Sequence, residues 1–228
     1  MSYQILGLAG QQGAGKDYTY DALRSLYSGD YDAGLGDKRK VRRMAFADGV
    51  RREVTLEVFK ALGFDVKGTD GAAQWNKPYT EGQRWILQQW GTEYRRAQDP
   101  DYWVHYGMDY IAERAEPGDL WVVTDVRFAN EAAAISSFAF ERYGGRVALV
   151  TATAEERARR VGITPQELAK RSQHASEVID FSTDFQVMNE TSIVLPQDLL
   201  EWLGLPRHCL KCAFAEPHIW HDGGYAFE

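Results

Sequence analysis

Between an apolar run at residues 3–9 (YQILGLA) and a segment of helical spacing that opens at Asp17 stands Gly10-Gln11-Gln12-Gly13-Ala14-Gly15-Lys16. No other stretch of the chain restricts its fold so tightly. Three glycines within six positions let the backbone turn its N–H groups to one side of a tight loop. A helix starting directly afterwards adds the positive end of its dipole, and Lys16 adds a mobile charge. Strand, loop, lysine and helix in this order suit the β- and γ-phosphates of a nucleotide. They make Gly10, Gln11, Gln12, Gly13, Ala14, Gly15, Lys16, Asp17 and Tyr18 the expected ATP-binding set. One position departs from the pattern: Asp17 stands where a Ser or Thr hydroxyl would meet Mg²⁺. A carboxylate is a hard-oxygen ligand for magnesium, directly or through water, and equally a helix cap. Thr19 lies too far along the helix to substitute cleanly.

The remaining elements follow in alternation. Residues 41–47 read as a second strand ending at Asp48, and residues 50–62 as a helix with Val50, Val54, Val58 and Leu62 at helical intervals. Residues 63–77 read as a Gly- and Asp-rich connection. Helical stretches are predicted over 80–96 and 102–115. Residues 120–124 (LWVVT) form a continuous apolar run, as in a strand buried on both faces. A helix over 130–143, a strand over 146–151 and a basic helix over 154–160 come next. Thr164-Pro165 opens a capped helix to about Ser172. A strand over 184–188 and a helix over 196–203 close the series. Strands alternating with helices predict an α/β fold with a doubly wound parallel sheet.

Composition narrows the classes. Apolar residues make up 44% and charged residues 26%, as in an ordinary globular enzyme. No apolar run reaches the roughly 18 residues of a membrane span, and the first residues lack a basic leader. The net charge of −7 offers no general attraction to nucleic acid, so phosphate must be met by locally placed Arg and Lys. Cys209 and Cys212, the only cysteines, make no disulfide framework. A cytoplasmic setting is expected, with no membrane and no nucleic-acid partner.

Further marks accompany the loop. They are Gly15-Lys16-Asp17; Phe46-Ala47-Asp48 with Arg51; Arg84 with Trp90-Gly91-Thr92-Glu93-Tyr94-Arg95; and Asp101 with Trp103. Then come Thr124-Asp125-Val126-Arg127-Phe128-Ala129-Asn130-Glu131, and His174-Ala175-Ser176-Glu177 before Asp184 and Asn189. In this order and spacing the chain resembles the phage deoxynucleoside monophosphate kinases, and more distantly the animal-type phosphomevalonate kinases. The resemblance runs from about Ile5 to Asn189. It implies a P-loop kinase domain over residues 1–205, with a helical acceptor-binding region at about 48–116 and a lid at about 152–182. It further implies transfer of phosphate from ATP·Mg²⁺ to a dNMP, supplying dNTP synthesis, in the host cytoplasm if the chain is phage-encoded. A homodimer is left open.

The marks also carry chemistry of their own. Asp125 follows a buried strand, where a parallel sheet presents ligands at its carboxyl edge, and can hold Mg²⁺ or its water shell; it can also cap the helix that follows. Arg127 can reach the acceptor phosphate. Asp48 can orient or deprotonate the attacking oxygen, or cap a helix. Arg51, Arg84 and Arg95 fall in the acceptor region, where guanidinium forks suit a monophosphate, with Glu93 a candidate buttress. Trp85, Trp90 and Trp103 fill core or make a stacking shelf, and Trp103 is kept among the acceptor residues. Arg157, Arg159, Arg160 and Arg171 fall in the lid region, with Arg159 and Arg160 chosen as catalytic cations around the moving phosphate. His174 and Glu177 have no assigned role.

From Pro206 the chain reads as a separate tail. Cys209-x2-Cys212 and His218-x2-His221 offer four ligands that suit structural, tetrahedral Zn²⁺. Phe214, Trp220 and Tyr225 can instead dock the tail on the core. Two alternatives to a dNMP kinase stay open: the same chemistry on phosphomevalonate, another small phosphate or a modified nucleotide, and a nucleotide-dependent, DNA-associated ATPase.

Overall fold

The computed structural model describes residues 3–28, 40–63, 75, 79–140, 143–172, 178–205 and 225–227. In chain order its elements begin with β1 (Gln4–Ala9), α1 (Lys16–Ser28), β2 (Val41–Met44) and α2 (Phe46–Val54). Next come α3 (Glu81–Gln88), α4 (Tyr102–Arg114), β3 (Leu120–Val126) and α5 (Ala129–Ser136). Then follow β4 (Ala139–Phe140), β5 (Tyr143–Thr151), α6 (Ala154–Val161) and α7 (Pro165–Arg171). The series ends with β6 (Phe185–Asn189), β7 (Ile193–Leu195), α8 (Gln197–Trp202) and β8 (Tyr225–Phe227). These elements form two compact units, one of residues 44–115 and one of residues 1–43 with 116–228.

The larger unit is α/β. Its sheet runs β2-β3-β1-β5-β6-β7-β8, with β4 paired to β5. Every residue of β1 is buried, which its near-continuous apolar sequence requires of a strand flanked on both sides and covered on both faces. β3 and β5 pair with it in parallel, placing Ile5 opposite Trp121 on one side and Gly145 on the other. β6 extends the parallel run, and β7 and β8 add antiparallel edges. Side chains of a strand alternate between faces. Leu6 and Leu8 pack with Ala22 and Leu23 of α1 and Leu199 and Leu200 of α8. Gly7 turns the other way, so close to α5 that a methyl group there would lie 2.9 Å from Ile135. Helices therefore cover both faces, and the chain leaves β1 for α1 where its two neighbours diverge in sequence, at the carboxyl edge that α/β proteins use for ligands.

Several boundaries differ from the sequence reading. β2 stops at Met44 and α2 starts at Phe46, so Asp48 lies in a helix and does not end a strand. The helix expected over 130–143 ends at Ser136; β4 then turns back along β5, pairing Phe140 with Tyr143. β7 is a three-residue strand, too short to announce itself by periodicity. The end of the chain is not wholly a separate tail, because Tyr225–Phe227 pairs with β7.

The smaller unit is helical. α2 continues as a π-helical turn at Thr55–Phe59, and α3 as a longer one at Gln89–Arg96. Thr80 caps α3 by accepting from the Gln83 N–H, while the Gln83 side chain accepts from the Thr80 N–H. Trp103 of α4 is 1% exposed and donates its indole N–H to the Gly91 carbonyl at 2.9 Å. It is a core residue here, with no face left for a base. Trp85, by contrast, is 62% exposed, since α3 buries none of its residues. Among the described residues no helix is long and apolar enough to cross a membrane.

Candidate active site

The loop between β1 and α1 takes the shape its glycines permit. Gly13 and Gly15 have φ of +80° and +92°, a region that L side chains rarely adopt. A side chain at Gly13 would also lie 2.7 Å from the Arg157 carbonyl. Lys16 folds back over the loop, its ammonium 2.5 Å from the Gly10 carbonyl oxygen and 3.3 Å from that of Gln11. Thr19 is fully buried and donates its hydroxyl to the Gly15 carbonyl, so it is no metal ligand. Asp17 is exposed in the first turn of α1, 3.9 Å from the Arg43 guanidinium. A glycine loop opening onto a helix N-terminus can hold an anion.

The outer side of the loop is braced from β6 and α6. Asn189, 2% exposed, donates to the carbonyls of Ala14 at 3.1 Å and Gly15 at 3.4 Å. The Arg160 Nη1 donates to Gly13 and Ala14 carbonyls, and its Nη2 to those of Asn189 and Glu190. Its Nε donates to Glu156 at 2.8 Å. An arginine has five N–H donors, and all five of these are occupied. Arg160 was expected among the phosphate-facing lid cations; here its donors are spent on backbone and on Glu156. Arg159 is exposed and paired with the same carboxylate. That hydrogen bond from Arg159, with help from Arg160, pulls the Glu156 carboxyl down to about 2.

Asp125 is half-buried near the end of β3, one residue before Val126 pairs with Ala9. It thus shares the sheet edge from which the loop departs. The N-terminus of α5 is capped by Glu131, which is 1% exposed. Its carboxylate accepts from the Arg127 N–H at 2.7 Å and the Phe128 N–H at 3.1 Å. Glu131 and Asn189 were legible as marks of the resemblance, but their contacts, and so their roles, were not.

A cleft of about 370 Å³ lies beside the loop, lined by Gln11, Ala14, Thr151, Ala152, Arg157 and Ser172 among others. The Nε and Nη1 of Arg157 are buried and have no hydrogen-bond partner among the described residues. A flat ligand carrying acceptors would satisfy them.

In the smaller unit, Asp48 accepts from the Ala45 N–H at 3.1 Å and from the Arg51 guanidinium. Ala45 is the N-cap and has no side chain to serve the helix end, so Asp48 does so from within the first turn. Arg51 also donates to the Tyr79 hydroxyl. Arg84 is exposed on α3. Arg95 pairs with Glu53, not with the candidate buttress Glu93, and lies over the rings of Trp90, Tyr94 and Tyr102. Hydrogen bonding to Glu53 raises the pKa of Arg95, though burial, the largest influence, works the other way. Glu53 Oε2, Trp90 Nε1 and Arg95 Nε are buried and have no hydrogen-bond partner among the described residues. His174, Glu177, Cys209, Cys212, His218 and His221 lie outside the described residues, as does the Arg171 side chain. Among the described residues, no three His, Cys, Asp or Glu side chains are grouped to hold a metal ion.

No protein-family model matches the chain, and no curated protein matches it. Among solved structures, a crystal structure of TT1252 from Thermus thermophilus is similar at 20% identity and a TM-score of 0.44, over 96% of this chain and 100% of that one.

Proposed function

We propose that the chain is a P-loop kinase that transfers the γ-phosphate of ATP to a deoxynucleoside monophosphate, releasing ADP and the diphosphate. The observation that carries this reading is the loop from Gly10 to Lys16, with its Gly13 and Ala14 carbonyls bound by Arg160 and Asn189 and Lys16 poised above it. The strand order β2-β3-β1-β5-β6 and the acidic residue at the end of β3 support a nucleoside monophosphate kinase type of fold. Loop N–H groups and the start of α1 bind the β-phosphate, and Lys16 exchanges its carbonyl contacts for β- and γ-oxygens. The cleft beside Gln11 takes the base against Arg157.

Asp17 and Asp125 are the residues that would hold Mg²⁺, directly or through water. Both are carboxylates at the loop's edge, and a magnesium ion that keeps several waters and phosphate oxygens needs only one or two protein ligands. When bound, the ion neutralises the charge on the β- and γ-oxygens. Arg51, Arg84 and Arg95 are the acceptor residues of the smaller unit, with Asp48 orienting Arg51 and Glu53 holding Arg95; Arg127 is a cation at the carboxyl edge of the larger unit's sheet, just past β3. A phosphate monoester is largely dianionic at neutral pH, so its oxygen attacks the γ-phosphorus without a general base while the bond to the ADP oxygen breaks. Of the two expected catalytic cations, Arg159 and Arg160, Arg159 is the exposed one, and it leaves its pairing with Glu156 to meet the moving phosphate. A coupled ADP-release assay across dNMPs, NMPs and phosphomevalonate tests the reading. Release stimulated by at least one dNMP supports it; release driven by phosphomevalonate alone moves the acceptor, and no stimulated release overturns it.

A further inference from the structure

We infer that Asn189 and Arg160 are positioning residues that fix the orientation of the Ala14–Gly15 peptide of the loop, holding the Gly15 N–H on its ligand side; this rests on the phosphate-loop reading above. A trans peptide points its C=O and N–H in opposite directions. The Ala14 carbonyl shares a peptide with the Gly15 N–H, and it accepts from Asn189 Nδ2 at 3.1 Å and Arg160 Nη1 at 3.2 Å. The next carbonyl, that of Gly15, is held mainly by α1 itself: it accepts from the Thr19 N–H at 2.9 Å and the Thr19 hydroxyl at 3.1 Å, with Asn189 Nδ2 farther off at 3.4 Å. The Ala14 carbonyl is thus drawn toward β6 and α6, and the Gly15 N–H faces away.

The backbone of Gly15 does not by itself enforce this orientation of the Ala14 peptide. Gly15 has φ of +92°, and a glycine can flip its flanking peptides at little steric cost. The brace leaves no slack either: a side chain at Gly15 would overlap Asn189 Nδ2. Asn189 is itself locked, because its Oδ1 accepts from Arg160 at 3.2 Å. One amide therefore receives from the guanidinium and donates to the loop, which only Asn among similar-sized side chains can do with both ends. Arg160 has no donor left over for a phosphate, so its contribution to phosphate binding runs through the loop.

Asn189→Asp tests this with almost no change in shape. It keeps the acceptor toward Arg160 and replaces the donor with an oxygen facing the Ala14 and Gly15 carbonyls. Tripolyphosphate, titrated calorimetrically without magnesium, is the probe for the wild type and the variant, well below each melting temperature. The expected result is affinity at least tenfold weaker in Asn189→Asp. The KM for ATP should rise in step, and the KM for the acceptor should stay within twofold. Arg160→Lys, which keeps the charge but cannot span four carbonyls, should weaken tripolyphosphate binding at least fivefold, and it carries the test if Asn189→Asp does not fold. Variants that bind tripolyphosphate within twofold of wild type overturn the inference, as does an equal rise in the KM values for ATP and acceptor. A wild-type protein that binds neither tripolyphosphate nor ADP is a different outcome: it removes the phosphate-loop reading, and the inference with it.

Discussion

Replacing Glu131 should cost more stability than its place at a helix end would suggest. Its carboxylate is 1% exposed and accepts two backbone N–H bonds, from Arg127 at 2.7 Å and Phe128 at 3.1 Å. Hydrogen bonds to a charged group contribute about 1.5–3 kcal/mol each. Two such bonds set an upper bound of about 6 kcal/mol, but Glu131→Ala also relieves the desolvation of a buried carboxylate. Arg127 and Phe128 are half-buried, so water can reach part of what is exposed. A net loss of about 2–3 kcal/mol follows, or about 4–12 °C in melting temperature at roughly 2–4 °C per kcal/mol for a chain of this size. Glu131→Gln keeps the shape and a neutral acceptor, and should lose only about 1 kcal/mol. Urea denaturation followed by circular dichroism gives both numbers. The same variants should slow phosphoryl transfer more than they weaken ATP binding, because the backbone carrying Arg127 is no longer pinned. Glu131→Ala within about 0.5 kcal/mol of wild type would refute the capping account, since surface changes fall in that range.

Glu53→Ala should destabilise the protein by about 2–4 kcal/mol by stranding a largely buried guanidinium, and Glu53→Ala with Arg95→Met should lose less than the sum of the two single changes. Additive losses in a double-mutant cycle would mean that the pair is not coupled. Because the folded Glu156 carboxyl lies near 2, below its unfolded value of 4.5, its contribution is complete above about pH 4.5 and fades as pH falls toward 2. The melting-temperature gap between wild type and Glu156→Gln should therefore hold steady from neutral pH to about pH 5 and close by about pH 2; a gap unchanged in acid contradicts the assignment. Protein purified without chelator should carry close to one zinc per chain, lost in Cys209→Ser with catalysis retained. Zinc-free protein whose Cys209 and Cys212 alkylate readily when folded rules the tail site out.

What could be read from the sequence was local. The loop is a contiguous pattern of glycine and lysine between two elements of clear period, so its place at the end of β1 follows from seven residues. The capping of α7 by Thr164, just before Pro165, is likewise written in two adjacent positions. What escaped depends on distance along the chain. Asn189 meets Ala14 across 175 residues, and Arg160 does so across 146. Glu93 reads in the sequence as a candidate buttress for one of Arg51, Arg84 and Arg95, whereas the carboxylate paired with Arg95 is Glu53, 42 residues away. Asp48 changed its surroundings because α2 begins sooner than its apolar period suggests, at Phe46, where Ala45 offers no cap of its own. Trp85 and Trp103 have the same residue type and opposite exposure, which only the packing of α3 and α4 decides.

Following the label from [γ-³²P]ATP tests phosphoryl transfer most directly. Wild-type protein, incubated with Mg²⁺ and a dNMP and resolved by chromatography, should place the label in the deoxynucleoside diphosphate. Lys16→Ala should leave it in ATP while melting near the wild-type temperature, since the change removes a charge from the loop and little packing. Label that appears only as inorganic phosphate, or labelled diphosphate formed by Lys16→Ala at the wild-type rate, would contradict the account.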